Sequence, residues 1–121
     1  MKVVINRCYG GFSLSDQAFE MLLQRKGIEY DKVKADHAFH SNHWNYYAKG
    51  HAGDDIHYLS YYSLTEDRAD PDLVAIVELL GTEAGGSYSQ LGIVEIPDDV
   101  KFHISEYDGF EHVAEDHRTW G

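Results

Sequence analysis

With 121 residues, 43% of them hydrophobic, the chain has material for one hydrophobic core and too little for two. Its 21 Asp and Glu against 10 Lys and Arg leave a net charge of -11, which excludes a general DNA or RNA binder and docking on an anionic membrane, while a local cationic pocket for one small anion stays compatible with it. No apolar run approaches the ~18 residues of a membrane span, the polar Asn6 and Arg7 and the glycines near the start are unlike a signal peptide, and the single cysteine, Cys8, excludes an internal disulfide and fits a reducing, cytoplasmic compartment.

Lys2 to Asn6 (KVVIN) is a short β-branched run of the kind found in a buried strand. Arg7-Cys8-Tyr9-Gly10-Gly11-Phe12 follows, and the paired glycines allow a turn that a Cβ would forbid. Ser13 and Ser15 are both candidate N-caps, and Asp16 complements the positive end of the helix they would start. From Leu14 the positions Ala18, Met21 and Leu22 keep helical spacing, with Phe19 and Leu23 widening the face, and Gly27 stops the helix after Arg25 and Lys26. Ile28 to Ala35 alternates weakly and predicts a second strand.

Residues 36 to 69 differ in composition. They hold five of the eight histidines, Trp44, and tyrosines at 46, 47, 58, 61 and 62. So aromatic a tract is expected to be ordered, with a strand near Ile56 to Tyr62, packed on the core or on another subunit. Beyond it, Asp70-Pro71 starts a second helix whose stripe is Leu73, Ile76, Val77 and Leu80, ended by Gly81. A Gly85-Gly86 turn leads to a strand from Leu91 to Ile96, closed by Pro97.

Asp108-Gly109 is a favoured type I′ pair and predicts a C-terminal hairpin. A two-residue turn sets Tyr107 opposite Phe110, Glu106 opposite Glu111, Ile104 opposite Val113 and Lys101 opposite Asp116. The two facing glutamates require compensation by an arginine, a cation, a shared proton or solvent. The expected architecture is a single α+β domain over residues 1–121: strand, glycine turn, helix, a second helix near 71–80, and the hairpin in a mixed sheet.

Two blocks carry a family resemblance. Lys2 to Ser15 (KVVINRCYGGFSLS) and Ile93 to Trp120, with IPDDVKFHISEYDGFEHVAEDHRTW inside it, resemble a family of small phage and prophage proteins. The resemblance covers about a third of the chain and leaves out residues 36 to 69. It implies a phage origin and a bacterial host cytoplasm, and it brings no established reaction or ligand.

Three constellations bear on chemistry. The first is the turn from Asn6 to Ser15. A strand feeding a glycine turn and a helix N-terminus aims free N–H groups and a positive dipole at one spot; Arg7 adds a cation, and the hydroxyls of Ser13 and Ser15 can donate to anion oxygens. This suits a phosphate, although the pattern is neither the Walker loop nor the dinucleotide fingerprint. A plain capped connection accounts for the same residues equally well. Cys8 beside Arg7 has the setting of an activated thiol, but a lone cysteine at a strand end is more often a small buried residue.

The second comprises His37, His40 and His43, with His51, His57, Asp36, Asp54 and Asp55 around them. Imidazole and carboxylate are zinc ligands, yet spacing of three and six residues drifts off one α-helical face, so solvated or interface histidines are favoured and no metal is assigned. The third is the hairpin end with the tail. Glu106, Glu111 and Glu115 share a face and offer acceptors for ribose hydroxyls, His117 and Arg118 can meet a phosphate, and Tyr107 or Trp120 can stack on a base. The competing reading is an Arg118 that neutralises the glutamates and a Trp120 that anchors the tail.

No catalytic motif rises above background. The expected function is therefore binding: sequestration of a nucleotide messenger, such as a cyclic or signalling nucleotide, by a phage-encoded homo-oligomer without a cofactor. The ligand-binding residues assigned to it are Asn6, Arg7, Cys8, Tyr9, Gly10, Gly11, Phe12, Ser13, Ser15, Glu106, Tyr107, Glu111, His117, Arg118 and Trp120. The alternatives are a small nucleotide hydrolase or transferase, and an acidic protein–protein inhibitor or DNA mimic.

Overall fold

Strand β1 (Lys2–Asn6) is buried on both faces from Val3 to Asn6. A computed structural model describes residues 1–34 and 44–116, and every element below lies within them. β1 pairs antiparallel with β5 (Leu91–Glu95), Val4 opposite Ile93. Helix α1 (Asp16–Arg25) begins where Ser15 accepts from the Ala18 N–H at 3.1 Å, so of the two candidate caps Ser15 is the one used. Helix α3 (Pro71–Leu80) begins at Asp70, which caps Asp72, and stops at Gly81, whose φ of 58° suits glycine. The buried faces of these helices, Ala18, Phe19, Leu22 and Leu23 with Leu73, Val74, Ile76 and Val77, close over β1 as one core. Each fully buried leucine there contributes about 1.5–3 kcal/mol by leaving water.

A second sheet runs β2 (Tyr30–Lys34), β3 (Trp44–Ala48), β4 (Tyr58–Leu59), all antiparallel. Tyr46 docks it: its ring meets Phe19 edge-on at 5.0 Å and its hydroxyl donates to Glu20 Oε2 at 2.9 Å. β3 was not expected. The strand expected at Ile56 to Tyr62 shrinks to two residues because side chains pull the backbone out of the extended form on both sides. Asp54 caps a 3-10 turn at Asp55–His57, and Ser60 caps the short helix α2 (Tyr61–Leu64).

Strands β6 (Phe102–Tyr107) and β7 (Phe110–Glu115) form the hairpin in the expected register, Tyr107 opposite Phe110 and Glu106 opposite Glu111. Asp108 and Gly109 both have positive φ (48° and 87°), as a type I′ turn requires. The hairpin does not join a mixed sheet, as expected, but stands as its own antiparallel ladder. The reason lies at the outer edge of β1. There the Val4 N–H donates to the Arg68 carbonyl at 2.8 Å and the Asn6 N–H to Glu111 Oε1 at 2.8 Å. A neighbouring loop and one side chain take the positions where a further strand would pair.

Candidate functional site

The glycine turn and the hairpin tip, far apart in sequence, are packed together. Asn6 Nδ2 donates to the carbonyls of Cys8 (2.6 Å) and Gly109 (2.8 Å), and Asn6 Oδ1 accepts from the N–H groups of Cys8 and Gln90 and the hydroxyl of Ser89. Asn6 is wholly buried, and its amide is consumed in tying three segments. A Cβ on Gly109 would stand 2.4 Å from the Gly11 nitrogen, and one on Gly10 would stand 2.1 Å from the Tyr88 carbonyl oxygen. Only bare backbone allows these approaches.

The negative charge expected at this turn is internal. Glu111, 5% exposed, accepts from the Asn6 N–H and from Arg68 through both oxygens, Oε1 to Nη1 at 2.6 Å and Oε2 to Nη2 at 3.0 Å. Arg68 also lies 3.7 Å above the Phe12 ring. The facing glutamates are thus compensated in two ways: Glu111 by an arginine, Glu106 by solvent. The arginine is Arg68, which sequence reasoning missed. Its signal was the demand for a cation opposite Glu106 and Glu111, and nothing in the sequence distinguishes Arg68 from Arg118 as the source.

The remaining expected residues divide. Arg7 donates its N–H to Gln90, and its exposed guanidinium crosses β5 over Gly92 with one long contact, 3.4 Å, to the Ile93 carbonyl. The Ser15 hydroxyl donates to the Glu83 carbonyl while capping α1, and the Ser15 N–H donates to Ala84. The Ser13 N–H meets Ser89, and the Ser13 hydroxyl is buried without a hydrogen-bond partner among the described residues. Cys8 is a half-buried free thiol. Phe12 packs against the core beside Tyr61. His117, Arg118 and Trp120, like His37, His40 and His43, lie outside the described residues.

What reaches solvent here is aromatic. Tyr9 is 67% exposed, Tyr88 82%, Tyr107 73% and Phe110 37%. The Tyr9 and Phe110 rings stand 5.4 Å apart, Tyr107 is the cross-strand partner of Phe110, and Tyr88 lies against Gly10. Tyr88 takes a positive φ of 64°, which few residues other than glycine adopt. It was missed because nothing in the sequence places the Gly85-Gly86 loop over the first turn. A shallow groove of about 480 Å³ lined by Gln24, Gly27, Ile28, Glu29, Tyr30 and Lys49 contains none of the expected residues.

Chemically, the arrangement stacks and pairs. Its one buried carboxylate is fully hydrogen-bonded, and among the described residues no base is hydrogen-bonded to Cys8. No helix of the described residues is long and apolar enough to cross a membrane. Comparison with known proteins finds no matching family model, no similar curated protein and no similar solved structure.

Proposed function

We propose that this protein binds a small, flat, phosphate-bearing molecule, such as a cyclic or signalling nucleotide, and retains it unchanged. The observation that carries the reading is the exposed group of Tyr9, Tyr88, Tyr107 and Phe110 around the glycine turn, with Arg7, two residues before Tyr9, exposed over β5. Exposed rings supply faces for base stacking, and a guanidinium supplies a planar donor for phosphate. The amides of Asn6, Arg7, Cys8, Ser13 and Ser15 do not serve as the anion receptor in this reading, since each is already bonded within the protein. In the setting that the resemblance to phage proteins implies, such a protein sequesters a nucleotide messenger of the bacterial host's immunity. Self-association is part of the proposal: Ile56, Tyr58 and Tyr62 are further exposed large hydrophobic side chains, at 89%, 47% and 66%.

A second reading has its own support. Glu106 and Asp108 are exposed beside the tyrosines, and an acid-rimmed tyrosine patch on a chain of net charge -11 suits a basic protein partner. Native mass spectrometry of the full chain with a panel of signalling nucleotides separates the two. Retention of one nucleotide, recovered intact after denaturation, supports the binder. Recovery of an altered nucleotide supports turnover instead. Salt-sensitive capture of a basic protein with no nucleotide retained supports the inhibitor.

A further inference from the structure

We propose that His51, Asp54 and His57 form a binding site for a divalent transition metal, with zinc the best-matched ion. The chain between β3 and β4 steps through three successive turns, each closed by a bond three residues back: His51 N–H to Ala48 at 2.9 Å, Asp54 N–H to His51 at 3.0 Å, His57 N–H to Asp54 at 2.9 Å. Gly50 and Gly53, with φ of 84° and 83°, occupy the third positions of the first two turns, where a left-handed residue is required. Three-residue steps have a consequence that α-helical spacing lacks. Here the connection carries the side chains at i, i+3 and i+6 to one place, a donor atom of each lying within 4.8 Å of the others. The drift that argues against a metal on an α-helix does not apply to this run of turns.

The side chains confirm the convergence. The His51 and His57 rings stack with centroids 3.7 Å apart and planes 13° apart. His57 Nδ1 lies 3.0 Å from Asp54 Oδ2, and one donor atom from each of the three residues lies within 4.8 Å of the others. Zinc bonds of about 2.0–2.2 Å to nitrogen and oxygen bring donor atoms to roughly 3.3–3.5 Å of one another. Metal–nitrogen bonds lie in the imidazole plane, so binding requires the two rings to turn out of their stack, and His57 and Asp54, 39% and 44% exposed, have solvent on one side in which to move. Two imidazoles and one carboxylate are a borderline-soft set that matches zinc better than calcium or magnesium. The first turn is held from outside the set: Asp31 accepts from the Gly50 N–H at 2.9 Å and pairs with Lys49 at 3.0 Å. Three protein ligands leave at least one position of the ion for water or another donor.

The test titrates zinc ion alone into chelator-treated full-length protein by calorimetry, with cobalt ion absorption as a second readout. One zinc per chain is expected, accompanied by a rise in melting temperature. His51→Ala and Asp54→Asn are each expected to weaken binding by at least about 100-fold, with far-UV circular dichroism unchanged, since both side chains lie at the surface and Asn keeps the cap on Ile56. A triple His37→Ala, His40→Ala, His43→Ala variant is expected to bind as the parent does. Absence of binding, undiminished binding in His51→Ala and Asp54→Asn, or loss of binding in the triple variant overturns the assignment.

Discussion

Arg68 and Glu111 meet fork to fork, Nη1 to Oε1 at 2.6 Å and Nη2 to Oε2 at 3.0 Å, and so join the loop before α3 to the C-terminal hairpin. The side chains are 17% and 7% exposed, so removing either leaves a largely desolvated charge. Arg68→Met and Glu111→Leu are each expected to destabilise the fold by about 3–5 kcal/mol, and the double variant by clearly less than the sum. Urea denaturation of the four proteins checks this. Additive losses would mean that the pair is not coupled.

Asn6 provides a second test of the same junction. Asn6→Asp keeps the acceptor but loses both donations from Nδ2, to Cys8 and to Gly109. It also sets a carboxylate beside that of Glu111. We expect a loss of at least about 2 kcal/mol, since each orphaned buried carbonyl costs about 1–3 kcal/mol. Hydrogen exchange should show faster opening in β7 as well as in β1; a change confined to β1 would contradict the bridging role.

The glycines of the turn should differ in kind. An alanine Cβ at Gly10 meets the Tyr88 carbonyl at 2.1 Å, whereas Gly11, at φ 90°, has nothing within 4 Å of such a carbon. Gly11→Ala is expected to cost only the left-handed strain, about 1–2 kcal/mol. Gly10→Ala should cost more and should displace the Tyr88 loop, seen as changed tyrosine fluorescence. Equal melting temperatures for the two variants would argue against the close approach.

Alkaline pH should weaken the fold. Burial, then hydrogen bonding to Glu20, pushes the Tyr46 phenol far above its usual value, and burial with the Tyr62 contact pushes Tyr61 up to about 12. The hydrogen bond to Asp70 outweighs burial and raises Lys26 as well. In each case the folded state holds a proton that the unfolded chain releases near pH 10 to 10.5, so stability is full below that range and declines above it. Urea midpoints from pH 8 to 11 should fall, and Tyr46→Phe should shallow the decline. An unchanged slope in that variant would remove the buried phenol as a source.

The proposed binding face can be altered without touching the core. Arg7→Ala and Tyr107→Ser are expected to abolish nucleotide retention while moving the melting temperature by no more than a degree or two, because both side chains are exposed. Full retention in Arg7→Ala would remove that guanidinium from the site.

Local chemistry made the ends of this chain readable. The Asp70-Pro71 start, the Ser15 cap and the Asp108-Gly109 turn act within a few residues of themselves, and the elements begin and turn where they specify. β3 was not legible, because its tyrosines and tryptophan are as compatible with an irregular aromatic tract as with a strand, and only the docking of Tyr46 on Phe19 decides between them. The residue types of the turn and of the hairpin tip make both candidate parts of one site, and the two are adjacent. What escaped was who satisfies whom. A carboxylate in β7 reaching an amide of β1 is a tertiary choice, and no spacing in the sequence encodes it.

Asn6 and Glu111 are separated by 105 residues along the chain. On the ribosome, at 5–20 residues/s, roughly 5 to 20 s pass between delivery of the first strand and arrival of the carboxylate that closes its outer edge. During that interval the Asn6 amide waits beside one of the most apolar stretches in the molecule, and an open strand edge pairs readily with another nascent chain. Misassembly through β1 is therefore expected during synthesis, before Glu111 is in place, and lower growth temperature or early chaperone capture of the N-terminal segment is expected to raise the recoverable yield.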